Sequence, residues 1–91
     1  MSSNTSYAVS DNVVSREVSG EFVLLDLESG IYFGLDKVGA RIWELLSDRP
    51  HSIAELSDRI EAEFDAARET IEADLAELFE QLIAKELVVA S

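Results

Sequence analysis

The side chains that most often carry catalysis are scarce in this sequence. The chain has one histidine, His51, and no cysteine. A lone histidine without a thiol forms neither a zinc site nor a pair of nucleophile and general base. Because His51 follows Pro50 and precedes a predicted helix start, we interpret it as a solvated loop residue. The absence of cysteine also excludes a disulfide framework.

Carboxylates are abundant, but their positions do not predict an acid–base pair. Such catalysis needs two carboxylates that converge on one cleft in different environments, whereas most of these lie on polar faces of predicted helices. No glycine-rich phosphate loop or calcium-loop spacing occurs. We therefore predict a protein that is not an enzyme and that needs no metal and no cofactor. The carboxylates considered are Glu61, Glu63, Glu72, Asp74, Glu77 and Glu80.

The composition indicates one small acidic domain. The 91 residues, 47% of them hydrophobic, suffice for a single thin core. The net charge of −12 repels phosphate backbones and anionic lipids and favours basic or neutral partners, although it also simply solvates a small helical domain. The polar N-terminus lacks a signal-peptide pattern and no apolar run is long enough to span a bilayer. We expect a cytoplasmic protein with neither nucleic acid nor membrane as its partner.

A β-hairpin is predicted for residues 22–35. Two apolar runs flank the short segment 28–30, which ends in Gly30. A three-residue loop with Gly30 in a left-handed bulge position places six apolar side chains on one face, because side chains alternate along a strand. A two-residue loop would instead place the charged side chain of Asp26 among apolar side chains on one face of the hairpin. We therefore predict the three-residue loop. Its cross-strand pairs are Leu27 with Ile31, Leu25 with Phe33, and Val23 with Leu35.

The hairpin belongs to a predicted three-stranded antiparallel sheet. Residues 12–18 form a weaker first strand, and residues 31–35 form an edge unless the N-terminal tail or the C-terminus covers it. An open edge presents unpaired N–H and C=O groups that can accept another chain. Residues 1–11 are predicted to be a flexible tail, in which residues 7–9 could form a short strand. Residues 12–89 are predicted to form the domain. Residues 87–89 suggest a short terminal strand.

Three helices follow the sheet. Asp36 is the expected N-cap of a helix over 37–47, in which Trp43 is a core residue and Gly39 marks close approach of another backbone. Ser52 and Glu55 form a capping box for a helix over 53–64. Asp65 is the expected cap of a third helix over 66–86, whose apolar stripe is Ile71, Leu75, Leu78 and Leu82, widened to one side by Phe79 and Ile83.

This order of elements predicts an α+β fold that is winged helix-turn-helix-like, with an N-terminal three-stranded antiparallel sheet followed by three helices. Such folds often bind DNA through basic residues of a recognition helix. Here the third helix carries only Arg68 and Lys85 among many acidic residues, so electrostatics oppose that function. A winged-helix transcription regulator stays as the alternative of another class.

The segment LDLESGIYFGLDKVGARIWELL, residues 25–46, resembles the PqqD-like family of RiPP precursor peptide recognition elements. The segments SIAEL at 52–56 and LIAKELV at 82–88 extend the resemblance, which covers about residues 13–89. Within that family a free-standing chain of this length most resembles the lasso-peptide B1 proteins. The alternative is the PqqD type, which serves the precursor peptide of a quinone cofactor.

The resemblance implies non-catalytic binding of the leader region of a ribosomally synthesised precursor peptide. The leader adds as a strand beside the third strand, and its side chains enter the cleft between that strand and the third helix. In the lasso case the peptide is then presented to a leader-cleaving cysteine protease (B2-type), working with a macrolactam cyclase. A third hypothesis is a homodimer through the same strand edge.

Carried onto this chain, the resemblance assigns the leader-binding residues to two elements. The strand edge provides backbone pairing, and one flank of the third helix provides the wall of the cleft. Glu72 or Asp74 is expected to pair with a basic leader residue. The predicted leader-binding residues are Ile31, Tyr32, Phe33, Gly34 and Leu35 on the edge, and Glu72, Leu75, Ala76, Phe79 and Ile83 on the helix.

Overall fold

A computed structural model describes residues 5–19 and 21–90 of the chain. They form two antiparallel sheets of three strands each and three helices, so the predicted α+β class and the sheet-then-helices order are confirmed. In chain order the elements are β1 (Ser6–Val9), β2 (Val13–Val18), β3 (Glu21–Asp26), β4 (Tyr32–Leu35), α1 (Lys37–Asp48), β5 (His51–Ser52), α2 (Ile53–Glu63), α3 (Arg68–Ala84) and β6 (Val88–Ala90).

The first sheet has the strand order β2-β3-β4, as predicted, but the hairpin register differs by one residue. Phe33 lies opposite Leu24, not Leu25, and Leu35 lies opposite Phe22. The predicted three-residue loop is therefore wrong, because the connection also includes Leu27, which is 61% exposed. Gly30 does adopt the predicted left-handed conformation, with φ of 76°.

The hydrogen bonds of Asp26 explain this register. Its carboxylate accepts hydrogen bonds from the backbone N–H of Glu28 at 3.0 Å and from the hydroxyl of Ser29 at 2.9 Å. Its backbone carbonyl accepts from the N–H of Gly30 at 2.7 Å, and its own N–H donates to the carbonyl of Ile31 at 3.0 Å. An aspartate that bonds the backbone two residues later starts a turn. These local bonds outweigh the apolar pattern that assigned Leu27 to the strand.

The second sheet has the order β5-β1-β6 and brings the two ends of the described chain together. Within the predicted tail, Ser6–Val9 is thus a paired strand, the option considered for residues 7–9, while residues 1–4 lie outside the described part. The predicted terminal strand is present as β6. His51 pairs with Tyr7 and is only 3% exposed. Its Nδ1 lies 2.8 Å from the carbonyl oxygen of Arg49, so the prediction of a solvated loop histidine is wrong.

The first two helices begin where the sequence predicts. The Asp36 carboxylate accepts a hydrogen bond from the N–H of Gly39 at 2.8 Å and caps α1, and Ser52 and Glu55 form the capping box of α2. The prediction that Gly39 marks close approach of another backbone is wrong. A Cβ added there would meet the Leu35 side chain at 3.1 Å, and not another backbone.

The third helix begins two residues later than predicted. Its N-cap is Ala67, which provides no side-chain hydrogen bond, so the prediction of an Asp65 cap is wrong. The guanidinium of Arg68 instead anchors this helix end, at 2.7 Å from Asp58 and 3.1 Å from Glu72. These bonds to Asp58 and Glu72 raise the pKa of Arg68 further above its usual value. The ion pairs of Arg68 with Asp58 and Glu61 link the start of α3 to α2.

The core is formed by the three helices together with side chains from both sheets. Trp43 is 3% exposed and belongs to this core, as predicted. On α3 the central core position is Phe79, whereas Leu78 is half-buried and Ile83 is 45% exposed. In the described residues, no helix is long and apolar enough to cross a membrane. The buried hydrophobic residues are Leu24, Ile42, Trp43, Leu45, Leu46, Leu56, Ile60, Ile71, Leu75, Phe79, Leu82, Leu87 and Val88.

The Asp26 loop predicts a pH-dependent stability. The bonds from Glu28 and Ser29 lower the pKa of Asp26 from its usual 3.8. The ionised form therefore stabilises the folded state above that usual value, and this contribution is lost as the pH falls through the lower folded-state pKa. We expect Asp26→Asn to lower the Tm at about pH 6, and the difference from the native chain to shrink towards about pH 3. Thermal melts followed by circular dichroism measure this.

The control for the loss of one negative charge is Asp65→Asn. Asp65 is exposed and makes no side-chain hydrogen bond within the described part of the chain. Its substitution should leave the Tm nearly unchanged. A Tm difference for Asp26→Asn that is the same at both pH values would contradict the proposed role of the ionised carboxylate.

Candidate functional site

The outer edge of β4 is the open strand edge that the sequence predicts. β4 pairs with β3 alone in the sheet order β2-β3-β4. The two segments expected as possible covers, the N-terminal strand β1 and the C-terminal strand β6, pair with each other in the second sheet. Among residues 5–19 and 21–90, therefore, no strand lies beside the free side of β4.

The register determines which backbone groups of β4 point outward. Because Asp26 donates to the carbonyl of Ile31, and because the direction of N–H and C=O alternates along a strand, Phe33 and Leu35 bond to β3. The N–H and C=O groups of Tyr32 and Gly34 then point towards the open side. A Cβ added at Gly34 meets no described atom within 4 Å, so the chain leaves room there.

A cleft lies directly beside this edge, between β4, the start of α1 and the middle of α3. It has a volume of about 320 Å³, within the range of about 300–1,000 Å³ that is usual for ligand pockets. The strand contributes its inward-facing side chains, and the helices contribute mainly aliphatic ones. The lining residues are Phe33, Gly34, Leu35, Asp36, Val38, Gly39, Ile42, Asp74, Leu75 and Leu78.

The two sides of the cleft are formed by α1 and α3. The Asp36 cap starts α1 one residue after β4 ends, so that Val38 and Ile42, four residues apart on one helix face, border the cleft beside Leu35. On the other side, Leu75 is 1% exposed and forms the floor together with the half-buried Leu78. The result is an apolar cleft that opens towards the free backbone groups of β4.

The cleft has an acidic border. The Oδ1 of Asp36 already accepts the hydrogen bond from Gly39, whereas Asp74 is exposed and forms no ion pair with any described residue. Glu72, the other carboxylate predicted to meet a basic ligand residue, is bound to Arg68 at 3.1 Å. Asp74 is thus the carboxylate that is both on the cleft and available to a cation.

The structure brings four of the ten predicted binding residues together at the cleft, namely Phe33, Gly34, Leu35 and Leu75. Ile31 precedes β4, and the Tyr32 side chain is 70% exposed on the opposite face of the sheet. The remaining four lie elsewhere on α3: Glu72, Ala76 and Ile83 are exposed away from the cleft, and Phe79 is in the core with its ring centroid 5.1 Å from that of Tyr7.

Sequence reasoning missed the contribution of α1 and of Leu78. Val38 and Ile42 of the first helix are not among the predicted binding residues, and Leu78 is predicted only as part of the apolar stripe of the third helix. A stripe shows which residues face inward but not which of them stay half-buried at the border of a cleft. Within the described residues, no group of three His, Asp or Glu side chains is arranged to hold a metal ion.

The placement of α3 can be tested by stability. Phe79→Ala should lower the free energy of unfolding by about 3–5 kcal/mol, because it removes a buried ring. Ile83→Ala should change it by less than about 1 kcal/mol, because that residue is 45% exposed and alanine favours a helix more than isoleucine does. Equilibrium denaturation in urea measures both, and Phe79→Leu provides a milder variant if the alanine variant does not fold. Equal losses for the two alanine variants would contradict this orientation of the helix.

Comparison with known proteins finds solved structures that share this fold. A solved structure of TbiB1 in complex with the TbiA(beta) leader peptide superposes with a TM-score of 0.78 at 46% sequence identity, over 89% of this chain and 93% of that one. A lasso peptide synthetase B1 complexed with its leader peptide gives a TM-score of 0.77 at 26% identity, over 91% of this chain and 96% of that one. A search of curated proteins finds no match.

The family can be stated from the sequence itself. The model of the family described as coenzyme PQQ synthesis protein D (PqqD) matches residues 21–88, well over half of the chain. The matched region includes the hairpin, the open edge and all three helices. This chain therefore belongs to the PqqD family.

Proposed function

We propose that this chain binds the leader region of a ribosomally synthesised precursor peptide of the lasso type, by adding the leader as a strand to β4. The observation that carries the proposal is the outward-facing backbone of Tyr32 and Gly34 directly beside an apolar cleft. Support also comes from the TbiB1 and lasso peptide synthetase B1 structures, both of which are complexes with a leader peptide.

In strand addition, the backbone of the protein provides affinity and its side chains provide specificity. Hydrogen bonds to Tyr32 and Gly34 provide affinity that depends little on the leader sequence. Because side chains alternate along a strand, every second leader side chain enters the cleft between Phe33 and Leu75, where shape and apolarity provide specificity. The proposed binding residues are thus those of the edge and the cleft, with Asp74 as the contact for a basic leader residue.

The proposed role is presentation and not catalysis. Recognition through backbone pairing needs no reacting side chain, and it leaves the rest of the precursor free for other proteins. We propose that these are a leader-cleaving cysteine protease of the B2 type and the macrolactam cyclase. Residues 12–89 are the proposed leader-binding domain, supported by β1 from the N-terminal segment.

A second candidate is a PqqD-type function, in which the same edge binds the precursor peptide of a quinone cofactor. The description of the matching family favours it. The discriminating experiment is fluorescence polarisation with two labelled peptides, the leader of a lasso precursor encoded beside the gene and a quinone-cofactor precursor. Saturable binding with a micromolar or lower Kd for the lasso leader alone supports the main proposal, and preference for the other peptide supports the second candidate.

Neither of the remaining hypotheses has comparable support. A DNA-binding regulator would need free cations on α3, but Arg68 is bound to Asp58, Glu61 and Glu72. A homodimer through β4 would occupy the edge that the leader needs. Sedimentation of the isolated chain, with and without leader, distinguishes a leader-binding monomer from a homodimer, because a dimer through β4 would dissociate when the leader binds.

Gly34→Pro tests strand addition. Proline removes the outward-facing N–H and is tolerated at a strand edge, because that N–H makes no bond within the sheet. We expect a loss of leader affinity of at least about tenfold, since one backbone hydrogen bond is lost and the ring obstructs the approaching strand. The measurement is fluorescence polarisation, with a thermal melt to establish that the variant folds.

The matched control is Gly34→Ala, which keeps the N–H and adds a Cβ that meets no described atom within 4 Å. It should bind the leader within a factor of about three of the native chain. Phe33→Pro is unsuitable as a test, because the Phe33 N–H bonds to β3 and its loss would disrupt the sheet. Full binding by a folded Gly34→Pro variant would rule out backbone pairing at this residue.

Asp74→Asn tests the acidic border of the cleft. We expect the affinity for a leader with a basic residue to fall about two- to fivefold at low salt, and the difference to fade at high salt because exposed charges are screened. Glu77→Gln is the control, since Glu77 is exposed on the same helix but does not line the cleft. If both variants weaken binding equally, the effect is one of net charge and Asp74 makes no specific contact.

A further inference from the structure

The first sheet has a second free edge, on the side opposite β4. β2 pairs with β3 alone in the order β2-β3-β4, so no strand of the described chain lies on its other side. All of its residues except Val13 are exposed, so neither the helices nor the second sheet covers this strand. Consecutive pairing with β3 shows that no bulge interrupts β2. It also contains neither proline nor lysine, two residues that commonly protect free edges.

The register with β3 determines which backbone groups of β2 point outward. The N–H of Asp26 points towards the β4 side, and the direction alternates along a strand. The backbone of Leu25 therefore points towards β2 and bonds to Val14, which lies opposite it. The residues of β2 whose N–H and C=O groups face the open side are then Val13, Ser15 and Glu17.

We infer that this edge pairs with β2 of a second copy of the chain, antiparallel and about a twofold axis at Ser15. One six-stranded sheet would then span both copies. The inference goes beyond the proposed function, because no leader is needed to form this contact. It also differs from the homodimer through β4, because both β4 edges stay open at the two ends of the joined sheet.

Symmetry limits how two copies of β2 can pair. A twofold axis perpendicular to the sheet keeps the two faces aligned, so a residue whose backbone points outward lies opposite another such residue. Only two registers then pair five residues of each six-residue strand. One places Ser15 opposite Ser15 of the second copy, and the other places Arg16 opposite Arg16.

Hydrogen bonding and charge both favour the Ser15 register. It places three outward-facing residues of each strand opposite one another, Val13 with Glu17 and Ser15 with its own copy, whereas the Arg16 register pairs only two. It also places no like charges directly opposite. The alternative brings two Arg16 side chains together in a pair whose Cα atoms are about 4.5 Å apart, which is destabilising.

The charge of the edge is compatible with self-pairing, although the whole chain is acidic. Each copy has a net charge of −12, but β2 itself carries one arginine and one glutamate, whose charges balance. The remaining charge is spread over a domain 34 Å in its longest dimension. Charges separated by more than about 8 Å are largely screened at physiological ionic strength. The dimer should therefore become stronger as salt is added.

The size of this contact predicts a weak dimer. A standard interface buries about 800 Å² on each partner, and five paired residues of one edge strand bury less than that. Backbone hydrogen bonds supply most of the contact, so it depends on the strand edge more than on any single side chain. We expect dimers at concentrations on the order of 100 µM, corresponding to a free energy of association of about −5 kcal/mol.

Sedimentation equilibrium of the chain without leader, from about 10 µM to about 1 mM, tests the inference. The weight-average mass should rise towards twice that of the monomer. Ser15→Pro removes an outward N–H that makes no bond to β3, and should weaken the dimer at least about tenfold. The matched control, Ser15→Thr, keeps that N–H and should dimerise within about threefold of the native chain. Glu17→Pro is the second variant if a thermal melt shows that Ser15→Pro does not fold.

Disulfide formation tests the register, because the chain has no cysteine of its own. The two Ser15 Cα atoms would be about 5.5 Å apart, which suits a disulfide. The two Arg16 Cα atoms would be about 8 Å apart, because they are offset by two residues, and this is too far for a disulfide. Ser15→Cys should therefore cross-link under mild oxidation at least about tenfold faster than Arg16→Cys, the matched control.

Several results would overturn the inference. These are a native chain that stays monomeric at the highest concentration, full self-association by a folded Ser15→Pro variant, and faster cross-linking through Arg16→Cys. Dissociation of the dimer by a bound leader would assign the contact to β4 instead, whereas a dimer that binds leader without dissociating supports pairing through β2. Failure to bind any leader would contradict only the proposed function, because the sedimentation experiment contains no leader.

Discussion

The hydrogen bonds of Asp26 determine how the functional part of this molecule is arranged. By holding the N–H of Glu28 and the hydroxyl of Ser29, its carboxylate starts the hairpin loop one residue before the apolar pattern would end the strand. The register that follows turns Phe33 and Leu35 towards the helices and leaves the backbone of Gly34 unpaired. The cleft and the open edge are thus two consequences of one turn.

The features of the fold that depend on residues close together in the chain could be predicted from the sequence. The caps at Asp36 and Ser52 and the left-handed Gly30 follow from short-range chemistry, whereas the open edge of β4 depends on the pairing of β1 with β6. The register could not be predicted in the same way, because an apolar strand pattern and an aspartate turn compete over a single residue, Leu27. The family resemblance led to a predicted site between β4 and α3, and four of the ten residues assigned from it line the cleft.

The long-range features were beyond local reasoning. Which side of α3 faces the core depends on β1, because the ring of Tyr7 packs on Phe79 and leaves Leu78 for the cleft. The burial of His51 depends on the same strand, which pairs with it across more than forty residues of sequence. No periodicity within a helix or loop contains that information. The sequence pattern identifies an apolar residue, and the distant strand decides which space it fills.

The second sheet has a consequence for how this domain could be joined to another polypeptide. Tyr7 lies opposite Ala90 in an antiparallel pair, so the described chain enters and leaves the fold on neighbouring strands. Domains whose ends lie close together tolerate insertion and fusion well. A linker at either end would attach to the sheet that does not contain β4, and so would leave the edge open. Such tethering would raise the effective concentration of peptide at a fused enzyme without any new contact.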